Sequence, residues 1–425
     1  MKRRFASGFS RTFVSLGTRN YRLFFIGQLV SNSGNWLTNV ALTLLVLDRT
    51  GSGTAVGWLV ACQYGPILFF SIYAGSIADR VDKRKLLYVT QSLEMAESVL
   101  LAVFAFIPGT SLAVFYVIAT LGGCLLAADN PARRSFVREL VPRSQVSNAV
   151  TLYSSMVNLS RIVGPAIAGL LVSTLGFGWA FAIDAASYSV VIVALIRMNG
   201  AEFFTSPRAV KAKGQVIAGV KYIWRTPELA VSFAMLLVIG LLSYNFNVTY
   251  PLLVEKGLHG SALQYTLLYS SFSIGALVGT LFVARRTTIT LRTIILSAGA
   301  FGIALTALAF VPNIPVAYLV AAAVGAVSIS YMTATTAMAQ LRAEPSMAGR
   351  VIAVQTVLQI GTTPIGGPLL GWVADVAGAR VPILIGGVAA LATFAVAAAT
   401  ARRRMNADPL EEVARDTAAT PTVSR

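Results

Sequence analysis

The chain has 425 residues, of which 56% are hydrophobic and only 12% charged, and 34 lysines and arginines face 17 acidic residues. Soluble proteins carry about 25% charged residues, so this composition excludes an ordinary soluble globular domain. Two cysteines and one histidine exclude a disulfide framework and give zinc sites and Ser-His-Asp catalysis little support. We therefore expect no metal site, no cofactor and no enzymatic activity.

Twelve apolar segments of helical length follow one another along the chain, separated by short charged loops. They cover residues 21–47, 55–78, 86–107, 111–131, 148–174, 177–197, 229–254, 263–284, 293–311, 315–338, 350–374 and 380–400. A helix needs about 20 apolar residues to cross the bilayer core, and most of these segments have them. The pattern predicts an all-α integral membrane protein with twelve transmembrane helices.

The basic residues indicate how the chain is oriented. If the N-terminus and every second loop share one side, that side holds 30 of the 34 lysines and arginines. By the positive-inside rule this is the cytoplasmic side, which predicts two cytoplasmic termini and a place in the inner (plasma) membrane. The net charge of +17 is then a topology signal. The lipid bilayer is an expected partner, and nucleic acid is not.

The longest inner loop divides the twelve segments into six and six. The predicted parts are a cytoplasmic segment (1–20), a first six-helix bundle (21–197), a cytoplasmic linker (198–228), a second bundle (229–400) and a disordered cytoplasmic tail (401–425). Within the linker, Ile217, Val220 and Trp224 fall on one helical face, with lysines and arginines elsewhere. We predict an amphipathic helix on the inner membrane surface.

The loop after the second segment carries a motif, GSIADRVDKRK, at residues 75–85. A basic loop that obeys topology would explain its lysines and arginines, but not a glycine four residues before an Asp-Arg pair. The spacing resembles the loop signature of the major facilitator superfamily. The signature falls on Gly75, Asp79, Arg80, Lys83 and Arg84, with Asp82 in place of the usual second glycine. The resemblance implies two pseudo-symmetric six-helix bundles, an inner gate at this motif and a functional monomer.

Two longer stretches narrow the resemblance. Residues 129–172, ending in NLSRIVGPAIAGLLV, and residues 349–375 resemble the secretion-effector branch of the superfamily, whose enterobactin-exporter-like members are proton-coupled efflux proteins. Gly164, Pro165 and Gly169 resemble a helix-bend motif linked to proton antiporters, although simple helix packing explains them equally well. The resemblance implies export of a small organic compound, a drug or a siderophore, in exchange for protons.

Polar side chains form stripes on three otherwise apolar segments. They are Gln28, Asn32, Asn35 and Asn39 on the first segment, Tyr244 and Asn245 on the seventh, and Gln355 and Gln359 on the eleventh. Each stripe by itself is as consistent with interhelical packing as with a transport pathway. The resemblance places helices one and seven beside a central cavity and helix eleven between the halves. These residues are therefore candidates for the substrate cavity, and their few charges suggest an amphipathic or neutral-to-cationic substrate.

Ionisable side chains within the segments lie almost entirely in the first half. They are Glu94, Glu97, Asp129, Arg161 and Asp184. Charges at this depth are costly unless paired, so we predict that Arg161 pairs with Asp184 or with Glu94 and Glu97. Asp129 lies too near the inner edge to reach it. No histidine lies in the segments, so a carboxylate is the expected proton carrier, unless these side chains only stabilise the bundle.

Other functions remain open from the sequence alone. The alternatives are a proton-coupled uptake symporter for a sugar or metabolite, a lipid flippase and a membrane-embedded receptor with the same fold. No Walker A sequence occurs, so ATP hydrolysis is not the expected energy source.

Overall fold

The computed structural model describes residues 12–78, 81–204, 215–284, 289–344 and 347–407, which fold into α-helices with short connections. The first half contains α1 (Arg19–Thr50), α2 (Gly53–Ala78), α3 (Lys83–Phe106), α4 (Leu112–Phe136), α5 (Val146–Leu175) and α6 (Phe177–Arg197). After the linker helix α7 (Gln215–Arg225) come α8 (Pro227–Ser243), α9 (Phe246–Leu252), α10 (Ala262–Ala284), α11 (Leu291–Ala309), α12 (Ile314–Arg342), α13 (Ala348–Gly361), α14 (Thr363–Ala377) and α15 (Val381–Ala407). The predicted all-α fold is confirmed.

Ten stretches of the described residues are long and apolar enough to cross a membrane on their own. The two remaining predicted spans do not meet this criterion of length and hydropathy, for physical reasons. Helix α1 carries the polar stripe, which lowers its mean hydropathy, and the eleventh span is divided into α13 and α14.

Two predicted spans are interrupted. The sequence predicts a continuous helix over 229–254, but α8 ends at Ser243 and α9 begins at Phe246. It also predicts a continuous helix over 350–374, which is broken at Thr362. Neither interruption changes the apolar character of the segment, so hydropathy alone does not reveal it.

The two interruptions lie side by side in the second half. Gly240 of α8 packs against Thr362, and Gly366 of α14 packs against the Asn245 side chain. Asn245 is buried, and its amide donates to the Leu241 carbonyl at 2.7 Å. The amide therefore covers a backbone carbonyl freed where α8 ends.

Helices α4 and α15 run furthest past their predicted ends. The sequence analysis ends the fourth span at Pro131, a residue that usually stops a helix, but α4 continues to Phe136. Arg133, assigned to an inner loop by the sequence, therefore lies inside α4. Helix α15 continues to Ala407, into the stretch 401–425 predicted as a disordered tail, and residues 408–425 lie outside the described residues.

The same helix pairings occur in both halves. Helix α2 packs on α4, α3 on α4 and α6, and α1 on α6. Six spans later, α10 packs on α12, α11 on α12 and α15, and α8 on α15. This repetition is what two pseudo-symmetric six-helix bundles require, in agreement with the predicted fold.

Among the described residues, the most extensive contacts between the halves are those of α2 with α14 and of α5 with α10. At the first pair, Gly53 faces the Gly371 carbonyl oxygen and Gly57 faces the Gly367 carbonyl oxygen. A Cβ at Gly53 or Gly57 would overlap that oxygen, so glycine is what allows the two backbones to approach.

Asp375 joins the end of α14 to the start of α2. Its carboxylate accepts hydrogen bonds from the backbone N–H groups of Gly53 (2.7 Å) and Thr54 (2.8 Å). The Ser52 hydroxyl donates to it at 2.7 Å, and the Lys256 ammonium lies 3.4 Å away. The contact ties the two halves together at the predicted outer side.

Arg380 ties together the outer end of the second half. Its guanidinium donates to the carbonyl oxygens of Ala309 (3.0 Å), Val311 (2.8 Å) and Gly257 (3.3 Å). These acceptors follow α11 and α9, so a single side chain holds two connections next to the start of α15.

The linker helix α7 packs on α13 with one face only. Ile223 is buried there, and Gly219 lies against the Arg350 carbonyl. On the opposite face Ile217 is 78% and Trp224 67% exposed. An apolar face is therefore unpartnered in the described part of the chain.

The inner-loop motif lies only partly within the described residues. Gly75 belongs to the last turns of α2, whereas Asp79 and Arg80 lie outside the described residues, so the inner gate stays a prediction. Lys83 forms an ion pair with Glu139, a partner in the same half.

Arg84 and Asp82 also act within the first half. Arg84 donates to the Leu195 carbonyl at 2.8 Å. Asp82 caps α3 by accepting from the Lys85 N–H at 3.2 Å, and its φ of −62° needs no glycine. The replacement of the usual glycine in the signature therefore costs no backbone strain and adds a helix cap.

Candidate functional site

A cavity of about 190 Å³ lies inside the first half, enclosed by α1, α2, α3, α4 and α6. Its polar and aromatic lining consists of Asn32, Asn35, Trp36, Thr38, Asn39, Gln63, Tyr64, Glu94, Glu97, Ser98, Asn130, Arg133, Asp184 and Tyr188. Three of these side chains are carboxylates and one is an arginine. The cavity therefore concentrates acidic groups inside the membrane-spanning part of the chain.

Asp184 is fully buried on α6 and is held by hydroxyl groups. It accepts hydrogen bonds from Thr38 (2.6 Å) and Ser98 (2.8 Å), and from Ser187 at 3.2 Å. Gly34 of α1 provides the room, because a Cβ there would overlap the Asp184 carboxylate. Among the described residues no cation lies within ion-pair distance of Asp184, so hydroxyl groups alone stabilise it.

Arg133 is the cation of the cavity. It forms an ion pair with Asp129, one turn earlier on α4, and lies 3.8 Å from the Glu94 carboxylate of α3. Thr90 donates to Asp129 at 2.7 Å, and Gln91 donates to Glu94 at 2.7 Å. All five side chains are buried, so one guanidinium serves two carboxylates in a closed polar network.

Glu97 differs from the other carboxylates. It is partly buried, lines the cavity, and has no hydrogen-bond or ion-pair partner within the described part of the chain. Gly122 of α4 lies opposite, where a Cβ would overlap the carboxylate. The gap left by this glycine holds the Glu97 side chain, which is free to exchange a proton or to contact a ligand.

Arg161 does not form the predicted ion pair with Asp184 or with Glu94 and Glu97. Among the described residues, no carboxylate lies within ion-pair distance of its guanidinium, which instead lies 5.5 Å from the centroid of the Trp36 ring. The carboxylates that the sequence assigned to Arg161 are bound by hydroxyl groups or by Arg133, or have no partner.

The direction of the Arg161 side chain explains this difference. Its part of α5 faces α10, where Ser270 donates to the Ile162 carbonyl at 3.0 Å. The Tyr269 side chain of α10 is a direct neighbour of the guanidinium. Arg161 therefore points to the boundary between the halves, which an estimate of depth along the helix cannot reveal.

The stripe on α1 partly lines the cavity. Asn32, Asn35 and Asn39 line it, whereas Gln28 is fully buried outside it. Each of two asparagines bonds back along the helix, Asn32 to the Gln28 carbonyl at 2.8 Å and Asn39 to the Asn35 carbonyl at 2.9 Å. Arg133 donates to the Asn32 side chain at 3.2 Å, which connects the stripe to the acidic network.

The remaining residues that the sequence assigned to a substrate cavity do not line the cavity of the first half. They are Tyr244, Asn245, Gln355 and Gln359. Tyr244 donates to the Ser328 carbonyl at 2.6 Å, and Gln355 donates to Thr336 at 2.6 Å, so both bond to α12. Contact between these residues and a substrate stays a prediction.

The helix-bend motif packs α5 against both of its neighbours. Gly164 lies against Trp36 of α1, and Gly169 lies against Thr266 of α10 in the other half. Pro165 is buried within a continuous α5. The geometry supports the packing role, and the link to antiport stays a prediction.

The sequence analysis missed most partners of the acidic groups. The missed residues are Thr38, Thr90, Gln91, Ser98, Arg133 and Ser187. Two signals were available: the i,i+4 spacing of Asp129 and Arg133, and the shared helical face of Gln91, Glu94 and Ser98. Serine and threonine give no such signal, because they bond equally well to their own helix.

Comparisons with known proteins agree with this architecture. The profile of a family described as transmembrane secretion effectors matches residues 10–424. The chain is 28% identical to the multidrug efflux pump Tap of Mycolicibacterium fortuitum, over 87% of this chain and 94% of that protein. It is 25% identical to the staphyloferrin A transporter of Staphylococcus aureus (84% and 90% covered) and 25% identical to the enterobactin exporter EntS of Escherichia coli (83% and 84% covered).

Solved structures share the fold. A POT family transporter in complex with a thioalcohol-conjugated peptide matches with a TM-score of 0.73 at 13% identity, over 91% of this chain and 96% of that one. A bacterial homolog of the human lysosomal transporter Spinster matches with a TM-score of 0.70 at 13% identity, over 90% and 97%. At such low identity the likeness concerns the fold alone.

Proposed function

Because the chain belongs to the family of transmembrane secretion effectors, transporters of the major facilitator superfamily, we propose that it exports a small organic compound by alternating access. Two relatives, an efflux pump and an exporter, support the outward direction. The paired glycine contacts between α2 and α14 support a movement of two compact halves against each other.

We further propose that export is driven by proton antiport. The observation that carries this proposal is the excess of carboxylates in the cavity of the first half, where Glu97 and Asp184 have no cation beside them among the described residues. Holding unpaired anions in a membrane protein costs several kcal/mol per ion. Uptake of a proton removes that cost, and its release when the cavity opens to water restores the charge. The cavity can therefore couple protonation to conformation.

The surroundings of Asp184 are suited to both its ionised carboxylate and its neutral carboxylic acid. Its hydroxyl neighbours donate hydrogen bonds to a carboxylate, and the same oxygens accept one from a neutral carboxylic acid. Glu97, which has no fixed partner and faces the cavity, is suited to pass the proton between Asp184 and water. We assign these two residues to proton exchange, and Glu94 and Asp129 to the network around Arg133.

Proteoliposomes with an imposed pH gradient test this proposal. Uptake of a panel of fluorescent dyes should rise with the gradient for the wild-type chain. Glu97→Gln and Asp184→Asn should keep dye exchange without a gradient but lose the response to it. Glu202→Gln, which alters an exposed carboxylate outside the cavity, serves as the control. A full gradient response in both cavity variants would refute proton antiport through these residues.

We also propose that both termini lie in the cytoplasm of a cell whose inner membrane holds the chain as a monomer. The bias of basic residues to one side supports this orientation. The exposed face of α7 supports it as well, because Ile217, Val220 and Trp224 would lie in the membrane interface while Lys221 and Arg225 meet anionic lipid.

A further inference from the structure

Arg161 lies where the two halves meet, among aromatic side chains from both. Its guanidinium carbon lies 5.5 Å from the Trp36 ring centroid, and the Trp36 and Tyr269 rings are 5.7 Å apart. Tyr64 of α2 and Tyr244, next to α8, are close enough to interact with its charge. The surroundings of Arg161 therefore combine one cation with aromatic side chains from α1, α2, α10 and the interruption after α8.

The charge of Arg161 is not balanced by the described residues. Within the described ranges no carboxylate lies within ion-pair distance, and the Nε atom is buried without a hydrogen-bond partner there. The cation–π contact with Trp36 recovers only part of what a guanidinium loses when it leaves water. The acidic groups of the first half are no substitute: Arg133 pairs with Asp129 and Glu94, hydroxyl groups hold Asp184, and Glu97 is not within ion-pair distance of Arg161. Arg161, which is only partly buried, therefore has no anionic partner among the described residues.

We propose that Arg161 binds an anionic group of the transported compound, a carboxylate or a phenolate carried on an aromatic or apolar body. A guanidinium binds such a group through charge-assisted hydrogen bonds, and the faces of Trp36 and Tyr269 hold the body beside it. The inference rests on the proposed export function and names its substrate class. It replaces the neutral-to-cationic substrate expected from the sequence.

This assignment separates the substrate from the protons. Trp36 lines the acidic cavity and also lies over Arg161, so it stands between the two sites. An anion at Arg161 contacts helices of both halves, which is the position that alternating access requires of a substrate. Movement of Trp36 on binding would change the shape of the cavity that holds Glu97 and Asp184.

Two dyes with one ring system test the inference on the purified full-length chain. 5-Carboxyfluorescein is an anionic xanthene, and rhodamine 123 is a cationic one, and fluorescence anisotropy reports the binding of each. The wild-type chain should bind the anion more tightly. Arg161→Gln should weaken binding of carboxyfluorescein by at least about tenfold while rhodamine binding changes by less than about twofold. Arg161→Lys should be intermediate, and Arg138→Gln, at an exposed arginine after α4, should bind as wild type.

A second measurement needs no variant. Benzoate should displace carboxyfluorescein from the wild-type chain, and its neutral isostere benzamide should not. A wild-type preference for the cation, equal loss of both dyes in Arg161→Gln, or equal displacement by benzoate and benzamide would overturn the inference.

The outcomes also distinguish the two proposals. If carboxyfluorescein binds through Arg161 but no dye is exported in proteoliposomes, the export proposal fails and this one stands. If rhodamine is exported with the pH gradient and the anion does not bind, the Arg161 site alone is refuted.

Discussion

The Asp375 carboxylate at the end of α14 accepts a hydrogen bond from the backbone N–H of Thr54 in the first turn of α2, at 2.8 Å, and so joins the two halves of the protein. Asp375 lies just beyond the apolar segment 350–374. Burial would raise the pKa of Asp375, but hydrogen bonds from Ser52, Thr54 and Gly53 outweigh it and hold this pKa well below its usual range. The positive end of the α2 dipole favours the same charge.

The direction of this shift determines how the contact depends on pH. A carboxyl group whose pKa is lowered by the contact contributes its full stabilisation above the ordinary value of about 3.9 and loses it only as the pH falls through the lowered one. The outer contact should therefore be unchanged between about pH 5 and pH 8. A pH response of transport in that range would have to come from the cavity carboxylates.

Asp375→Asn should weaken the outer contact and open the space between the halves. A cysteine in place of Asn247, which lines a small pocket between α1 and α10, reports this opening once Cys62 and Cys124 are replaced by serine. We expect faster reaction with a membrane-impermeant thiol reagent added from outside. Asp48→Asn, at an exposed carboxylate on the same side, is the control. Equal labelling of the two variants would mean that the glycine contacts alone hold the outer side closed.

Arg133→Gln should destabilise the first half strongly. Its loss leaves Asp129 and Glu94 buried without a cation, and breaking a buried pair from one side costs about 3–5 kcal/mol. Asp129→Asn combined with Arg133→Gln should cost less than the sum of the two single changes. The measurement is a double-mutant cycle on melting temperature in detergent, with Arg134→Gln as an exposed neighbouring control. Strict additivity would show that the two side chains do not interact.

Gly122→Ala should displace Glu97 from its position in the cavity. The added Cβ overlaps the Glu97 carboxylate, which is the end of a flexible side chain and can move away. We therefore expect a folded protein with slower gradient-driven uptake, by about tenfold if Glu97 carries protons. Gly65→Ala is the matched control, because a Cβ on that helical glycine meets nothing within 4 Å. Unchanged uptake in Gly122→Ala would argue against a proton role for Glu97.

A nitroxide on Ile217→Cys should report the membrane interface. The exposed apolar face of α7 predicts strong relaxation by oxygen, which concentrates in lipid, and weak relaxation by a water-soluble nickel chelate. The same label on Arg225→Cys, at the basic edge of the helix, should be more accessible to nickel. The reverse order of the two positions would place α7 in water.

Most of the fold could be predicted from the sequence, because hydrophobic length decides which segments cross a bilayer. The interruptions at Tyr244 and Thr362 could not, since tertiary contacts such as the packing of Gly240 on Thr362 compensate for them. The predicted end of the fourth span was wrong because tertiary contacts again decided the structure. Tertiary packing kept α4 helical beyond Pro131 and drew Arg133 into the core.

The candidate site could be predicted in its residues but not in its pairings. Glu94, Glu97 and Asp184, which the sequence singles out on the third and sixth segments, line one cavity. Depth, however, measures position along the membrane normal and carries no information about rotation around a helix axis. That rotation turns Arg161 away from the carboxylates and toward α10, and the hydroxyl groups take its place at Asp184.

Arg380 has a consequence for the order in which the chain assembles. Its three carbonyl acceptors are synthesised before it, and they lack this donor until Arg380 has been synthesised. Buried carbonyl groups without donors are costly in a membrane protein. The outer rim of the second half therefore closes only when the last hairpin has been inserted. A nascent chain that stops short of Arg380 should therefore leave these connections without the side chain that holds them together.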